Sequence, residues 1–413
     1  MKKLLSLILS IILCLCFTAC GAKTEEPFEK GEKLATVFVV SDTHLLSEDL
    51  FSPDNQKYVK KAMTADGRVQ EYDYYLMEAL VEQVNEANPD ALIFTGDLSF
   101  NGEEHSHKSF ISFLERIDKD ITVLVVPGNH DFNIDGCRSY YNDTPYAERT
   151  VDGAEFCKLY ADYGYTDALC YDEENHSYIY EINDKVWAVM LDTSLCEYNA
   201  EAGLNTAGGA VWEETIEWLR PWLKEAQDKG ITVIGFSHHN LAEHNPLFVD
   251  NYVMYNAELL SSLYKEYGVK LHLSGHMHIQ SIEGRDGVFD IAQGSLLDYG
   301  NRMSSIDVYD NCMEYSRIAV GDIQDYSFEV FCNKYLGKRT SQYKEKYGEY
   351  GEEVQLLVSR INAYYFDGDY EKINEILSQK TKAVKLLKRT EKDTYIGTIL
   401  KLENKDQNYL LMK

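Results

Sequence analysis

Six apolar runs, each closing on Asp, His or Asn, constrain this chain more than any other feature. "LATVFVV" leads into Ser41-Asp42-Thr43-His44, "ALIFTGD" ends at Asp97, and "TVLVVPGNHD" hands over through Pro127-Gly128 to Asn129, His130 and Asp131. Farther along, "VWAVMLDTS", "ITVIGFSHHN" and "VKLHLSGHMH" repeat the pattern. Short runs rich in Val, Ile, Leu and Phe are the pattern of strands buried on both faces. Breaks such as Pro-Gly place the polar residues just past the strand ends, where open α/β sheets keep their chemistry. Helical periods lie between the runs: Leu76, Leu80 and Val84 with Met77 and Val81; Phe110, Phe113, Leu114 and Ile117; Ile216, Leu219 and Leu223. Strand and helix alternate, so the predicted class is α/β.

The segment 135–180 is irregular and rich in Tyr, Asp and Cys, and its length predicts a cap or insertion over the site. After about residue 325 the pattern changes. Val354, Leu357, Ile361 and Tyr364 mark one helix, Ile373, Ile376 and Leu377 another, with "FDGDY" as the turn between them. Residues 326–413 are therefore expected to form a small, mainly helical domain that carries no chemical motif.

At the other end, Lys2 and Lys3, an apolar run from Leu4 and small residues before Cys20 have the form of a secretory signal. Phe17-Thr18-Ala19-Cys20-Gly21 resembles a bacterial lipobox, with Phe17 where Leu is commoner. That resemblance implies a leader over 1–19, lipidation of Cys20 and an extracytoplasmic protein anchored to the bacterial membrane. A plain secretory signal or an uncleaved anchor is the alternative. The polar "AKTEEPFEKGEK" suits a tether, here 20–34, between membrane and a domain starting at 35. With 68 acidic against 40 basic residues the net charge is −28, and loss of Lys2 and Lys3 would take it to about −30. Such a chain repels nucleic acid polymers and anionic headgroups, and no basic run overrides this. Six cysteines follow Cys20, at 137, 157, 170, 196, 312 and 332, without a CxxC pair. Some can pair in an exported protein, and at least half are expected to be buried thiols.

Taken in order, the strand ends read Asp42-x-His44, Gly96-Asp97, Gly128-Asn129-His130-Asp131, His238-His239 and Gly275-His276-x-His278. Imidazole and carboxylate together suit borderline cations such as zinc, manganese and iron. A lone Gly-Asp is more often a turn and a lone His more often an ordinary polar residue. All five pieces in this order resemble the calcineurin-like metallophosphoesterase superfamily, whose signature is DxH, GD, GNH with D or E, H, and GHxH. The resemblance extends over about 35–325. Within the superfamily, "VVSDTHLLS", "IFTGDLSFNGEEHSH" and "FSHHNLAEHN" are similar to exported bacterial proteins related to class III cyclic nucleotide phosphodiesterases.

The resemblance implies a four-layer α/β/β/α sandwich and two divalent or trivalent metal ions, manganese, iron or zinc. It assigns Asp42, His44 and His278 to the first metal, Asp97 as a bridge, and Asn129, His238 and His276 to the second. Of the paired histidines it favours His238 as ligand, leaving His239 to face substrate or solvent; either could reach a metal from a strand end. Two cations contribute about +4, Asp42 and Asp97 −2 and a bridging hydroxide −1, leaving about +1 for a phosphodiester. A carboxylate in place of Asn129 would cancel that remainder, whereas an amide binds through its carbonyl oxygen without charge. The implied reaction is in-line attack on phosphorus by that hydroxide. His130 is then the residue to hydrogen-bond the phosphate or protonate the leaving oxygen, with orientation of Asn129 as its alternative role. Asp131 is a weak candidate to orient His130, since neighbours in an extended segment point oppositely, and Asn101 is a further candidate for substrate contact.

The stretch "GDLSFNG" lacks the Asp-Arg pair of the superfamily's protein phosphatases, and the tail is short for a nucleotidase's substrate domain. With no arginine in the motifs to clamp a phosphate, small diesters such as cyclic nucleotides or glycerophosphodiesters are favoured over monoesters. A phosphate-scavenging monoesterase and a non-catalytic metal- or solute-binding lipoprotein remain the alternatives.

Overall fold

The computed structural model describes residues 28–52, 55, 67–134, 137–142, 146–195, 198, 207–324 and 327–413. The leader, Cys20, the tether before residue 28, and Cys196 lie outside the described residues. Three of the six apolar runs form β1 (Lys33–Val40), β2 (Ala91–Thr95) and β3 (Thr122–Val126), parallel neighbours with Val39 beside Ile93 and Ile93 beside Leu124. A short hairpin follows, β4 (Arg138–Ser139) with β5 (Tyr146–Ala147). The other three runs, β8, β9 and β10, are central in a second sheet made of β6 (Cys170–Tyr171), β7 (Tyr178–Asn183), β8 (Val186–Leu191), β9 (Thr232–Ser237), β10 (Leu271–Ser274), β11 (Ser281–Arg285) and β12 (Val288–Ala292). Its spatial order is β11-β12-β10-β9-β8-β7-β6. The chain then returns to the first sheet as β13 (Arg302–Tyr309), antiparallel to β1, and β14 (Met313–Ala319). β15 (Tyr409–Met412) pairs with β14, giving the order β15-β14-β13-β1-β2-β3.

The period-2 geometry of strands sorts each run into two cores. Val37, Val39, Ile93 and Leu124 of the first sheet pack with Ala188, Met190, Ile234, Phe236 and Leu273 of the second, forming the layer between the sheets. Phe38, Val40, Leu92 and Phe94 turn outward to α1 (Asp73–Ala87) and α2 (Glu104–Leu114), which contribute Leu76, Leu80 and Phe110. On the opposite side Trp187, Val189 and Leu191 meet α4 (Glu213–Lys229) and α5 (Ala257–Tyr267); α3 (Gly153–Leu159) packs with the α1–α2 layer through Phe156. Burial of side chains such as Phe94 and Phe110 stabilises this arrangement by about 2–3 kcal/mol each. The layers run α/β/β/α, as the resemblance implies.

Segment 135–180 differs from a simple cap. Its last residues supply β6 and β7 to the second sheet. Tyr178 also donates its hydroxyl to the Val125 carbonyl at 2.7 Å, which ties that strand across to β3. The tail contains α6 (Phe328–Lys334), α7 (Ser341–Lys346), α8 (Gly351–Phe366), α9 (Tyr370–Ser378), α10 (Lys382–Thr390) and α11 (Tyr395–Ile399). Phe331, Val358, Ile361 and Ile396 are continuous with the α1–α2 core, so the helices share that core, and β15 extends the first sheet. Cys137, Cys312 and Cys332 are buried thiols without a disulfide.

Candidate metal centre

The three motif runs of each sheet point their C-terminal ends at one place. There the backbone turns sharply: Asp42 has φ +53°, His44 +40°, Asp97 +52°, His276 +68° and His278 +53°. Non-glycine residues in this left-handed region carry strain of about 1 kcal/mol or more, which the surrounding structure must over-determine. Two motif glycines allow the close approach. A Cβ on Gly128 would lie 2.2 Å from the Asp97 carboxylate, and one on Gly275 would lie 2.0 Å from Ser41 Oγ. Only a bare backbone fits there.

The result is two donor groups that share a residue. Asp42, His44, Asp97 and His278 form one cluster and Asp97, His238 and His276 the other, with donor atoms of each cluster within 4.8 Å of one another. His278 Nε2 is 3.1 Å from Asp42 Oδ1 and 3.2 Å from His44 Nε2. The same Asp97 oxygen, Oδ2, lies 3.5 Å from His44 Nε2 and 3.3 Å from His238 Nε2. Asn129 joins the second group, its Oδ1 3.1 Å from His238 Nε2. Ligands about 2.1 Å from a first-row cation sit roughly 3 to 3.5 Å apart, so the spacing and the donor types both fit such ions. All seven predicted ligands are thus brought together, and Asp97 stands between the two groups.

Backbone bonds fix the ring orientations. His238 Nδ1 donates to the Thr95 carbonyl at 2.9 Å, and His276 Nε2 to the Asn251 carbonyl at 2.9 Å. In each case the other ring nitrogen keeps a lone pair for a cation. Asp42 accepts from the His276 backbone N–H and from Ser41 Oγ. Without cations the site holds its charge as ion pairs. Burial disfavours a charged His238, yet Asp97 beside it prevails and raises its pKa to about 9. Burial, with His238 nearby, depresses His276 to about 3, so that ring is neutral. Burial also opposes ionisation of Asp97, but His238, His130 and His44 hold its carboxyl well below the usual range.

His130 stands beside the clusters, its ring 5.2 Å from that of His44 and outside both donor groups. Its backbone N–H donates to Asp97 Oδ1 at 2.8 Å, and its Nδ1 pairs with Asn101 Oδ1 at 2.9 Å. Asn101 therefore orients His130. The amide oxygen can only accept, so Nδ1 carries the proton and Nε2 of the neutral ring holds a lone pair. Burial, assisted by Arg68, lowers the pKa of His130 despite the proximity of Asp97. Asp131 does not orient His130: its carboxylate accepts from the N–H groups of Leu98, Ser99 and Gly128, tying the second and third motif loops together. The expectation that His239 faces substrate or solvent also fails. His239 is fully buried, with Nδ1 on Thr193 Oγ1 and Nε2 on the Ala207 carbonyl. Its ring packs behind that of His276, with centroids 4.5 Å apart.

Three residues outside the motifs also bear on the centre. Asp298 is buried behind His278, with Oδ2 at 3.9 Å from the ring Nδ1. Asp290 accepts from the Leu241 and Ala242 N–H groups at 2.7 Å, and from His244 and Ser274, shaping the loop after His238. Arg68, from the segment before α1, comes close enough to help depress His44 and His130. The field of an arginine thus reaches the centre although none lies in the motifs.

Comparison with known proteins agrees with this architecture. The calcineurin-like phosphoesterase family model matches residues 35–280. A probable glycerophosphodiester phosphodiesterase GpdQ from Arcobacter nitrofigilis is 24% identical over 192 residues, 46% of this chain and 57% of its own length. The chain therefore spans little more than half of that relative. A dimetal phosphatase from Danio rerio shares the fold, with a TM-score of 0.52 and 12% identity over 70% of this chain and 97% of its own. With the motif order, the sandwich and the family match in agreement, the chain belongs to the calcineurin-like phosphoesterases.

Proposed function

We propose that the protein hydrolyses small phosphodiesters at a centre of two metal ions. The observation that carries this reading is Asp97, whose one oxygen faces both donor clusters. When bound, two cations lower the pKa of a water and take up charge on the phosphate oxygens. Asp42, His44 and His278 would hold one ion, Asn129, His238 and His276 the other, and Asp97 both. His130, whose Nδ1 is bonded to Asn101 and whose backbone N–H is bonded to the Asp97 carboxylate, is our candidate to donate, once protonated on Nε2, a hydrogen bond to the phosphate or a proton to the leaving oxygen. Among small diesters, the name of the relative from Arcobacter nitrofigilis supports glycerophosphodiesters. The leader and Cys20 support an extracytoplasmic, membrane-tethered setting.

A second reading, a phosphomonoesterase, is favoured by Arg68, since a guanidinium whose field reaches His44 and His130 suits a doubly charged phosphate. One experiment separates the two. Protein stripped of metal and reloaded with manganese is assayed on bis(p-nitrophenyl) phosphate and p-nitrophenyl phosphate, beside Asp97→Asn. Metal-restored diester turnover that is lost in the variant is the expected result. Turnover of the monoester alone would move the second reading forward, and two bound metals with no turnover of either would leave a binding protein.

A further inference from the structure

The tail helices contain no chemical motif, yet a chain of contacts leads from them to the second donor cluster. The loop after His238 runs through residues 245–252. Asn245 Nδ2 donates to Tyr365 Oη of α8 and to Thr398 Oγ1 of α11, each at 3.0 Å. Phe248 packs on Tyr395 of α11 with ring centroids 5.5 Å apart, and Tyr395 on Tyr365 at 6.1 Å. Within the loop Phe248 meets Tyr252 at 5.2 Å, and Tyr252 meets the His276 ring at 5.0 Å. Between them Asn251, at φ +68°, presents the carbonyl that accepts the His276 Nε2 proton at 2.9 Å. Both the tautomer of His276 and the face it offers depend on this carbonyl. Asn240, at the root of the loop, donates to Ser274 Oγ at 2.7 Å and to the Gly275 carbonyl at 3.1 Å, so loop and GHxH turn share one frame.

We infer that the tail helices act as a brace for the second metal position: through Asn245 and the Phe248–Tyr395 contact they hold the 245–252 strap, whose Asn251 carbonyl fixes His276. Phe248 and Tyr395 are thus positioning residues that touch neither cation nor substrate. The inference rests on the two-metal reading of the site. Its consequence is selective, because the first position draws on Asp42, His44 and His278 and makes no contact with the strap among those described.

The test is calorimetric titration of the metal-stripped protein with manganese, for the wild type, Phe248→Ala, Tyr395→Ala and Tyr395→Phe. Loss of a group that orients a metal-binding histidine typically weakens affinity ten- to a hundredfold. That loss is expected at one of two sites in Phe248→Ala and Tyr395→Ala. The other site keeps its affinity, and Tyr395→Phe, which keeps the ring, restores both. If Tyr395→Ala does not fold, as judged by circular dichroism, Phe248→Ala carries the test alone, since that side chain sits on the strap and outside the shared core. Two sites of unchanged affinity in a folded Phe248→Ala would overturn the brace while leaving the two-metal reading intact. Equal weakening of both sites would also overturn it. Fewer than two manganese ions bound by the wild type would overturn both.

Discussion

The buried pair of His238 and Asp97 gives a prediction whose size follows from the structure. In the metal-free protein burial works against a charged His238, and Asp97 Oδ2 at 3.3 Å more than offsets it, raising the pKa from 6.5 to about 9. A group whose folded pKa is raised contributes stability in full below its unfolded value, here pH 6.5, and loses it as pH rises through 9. The shift corresponds to about 3 kcal/mol, and as the pair is inaccessible to solvent, screening removes little of it. Urea unfolding of the metal-stripped protein at pH 6.5 and 9.5 measures the contribution, with His238→Gln as reference for every other titrating group. The wild type is expected to lose about 3 kcal/mol more than the variant between the two conditions. The same proton must leave before Nε2 can accept a cation, so manganese affinity at that position should fall about tenfold for each pH unit below 9. Equal losses in wild type and variant would refute the ion-pair reasoning, whatever the metal data showed.

Asn101→Ala removes the partner of His130 Nδ1 and is expected to lower kcat roughly ten- to a hundredfold with metal content unchanged, read by steady-state kinetics and elemental analysis. Gly128→Ala would drive a Cβ to 2.2 Å from Asp97 Oδ1; a destabilisation of about 1–3 kcal/mol and loss of tightly held metal after dialysis are expected. Asp290→Ala leaves the Leu241 and Ala242 N–H groups, His244 and Ser274 without their acceptor. At about 1–3 kcal/mol for each buried group stranded, it should cost more than 3 kcal/mol in denaturant unfolding, and Asp290→Asn clearly less.

Where the sequence is informative, it is so for local reasons. An apolar run followed by glycine and a polar residue is a strand end whatever its neighbours, so the elements carrying Asp42, Asp97, Asn129, His238 and His276 can be read directly. The choice between His238 and His239 was also within reach. Ile234 and Phe236 face the inter-sheet layer, and the same parity, carried one step past the end of β9, puts His238 on that side. What cannot be read locally is pairing. Nothing in "VKLHLSGHMH" announces that β10 pairs with both β9 and β12, nor that Asp290 of β12 is thereby set against the loop after His238. Arg68 and Asp298 sit in stretches without periodicity, and only the fold brings them to the centre. The tail reads as helical, but its shared core and closing strand depend on long-range contacts that helical period does not encode.

The distribution of donors over the two sheets joins these points into a further consequence. One cluster takes Asp42, His44 and Asp97 from the first sheet and His278 from the second; the other takes Asp97 and Asn129 from the first and His238 and His276 from the second. Neither can close unless the sheets are docked, so each cation would bridge the sandwich across the Ile93–Phe236 layer. Ligand that binds only the folded state stabilises by about 4 kcal/mol at a thousandfold excess over Kd. Manganese should therefore raise the midpoint of thermal unfolding of the whole protein in one transition, tail helices included, because those helices share the core of the first sheet. Asp97→Asn, which weakens both bridges, should lose most of that rise. A metal-dependent shift of the same size in Asp97→Asn would mean that cations bind elsewhere, on the acidic surface, and that the clusters at the strand ends do not hold the sheets together.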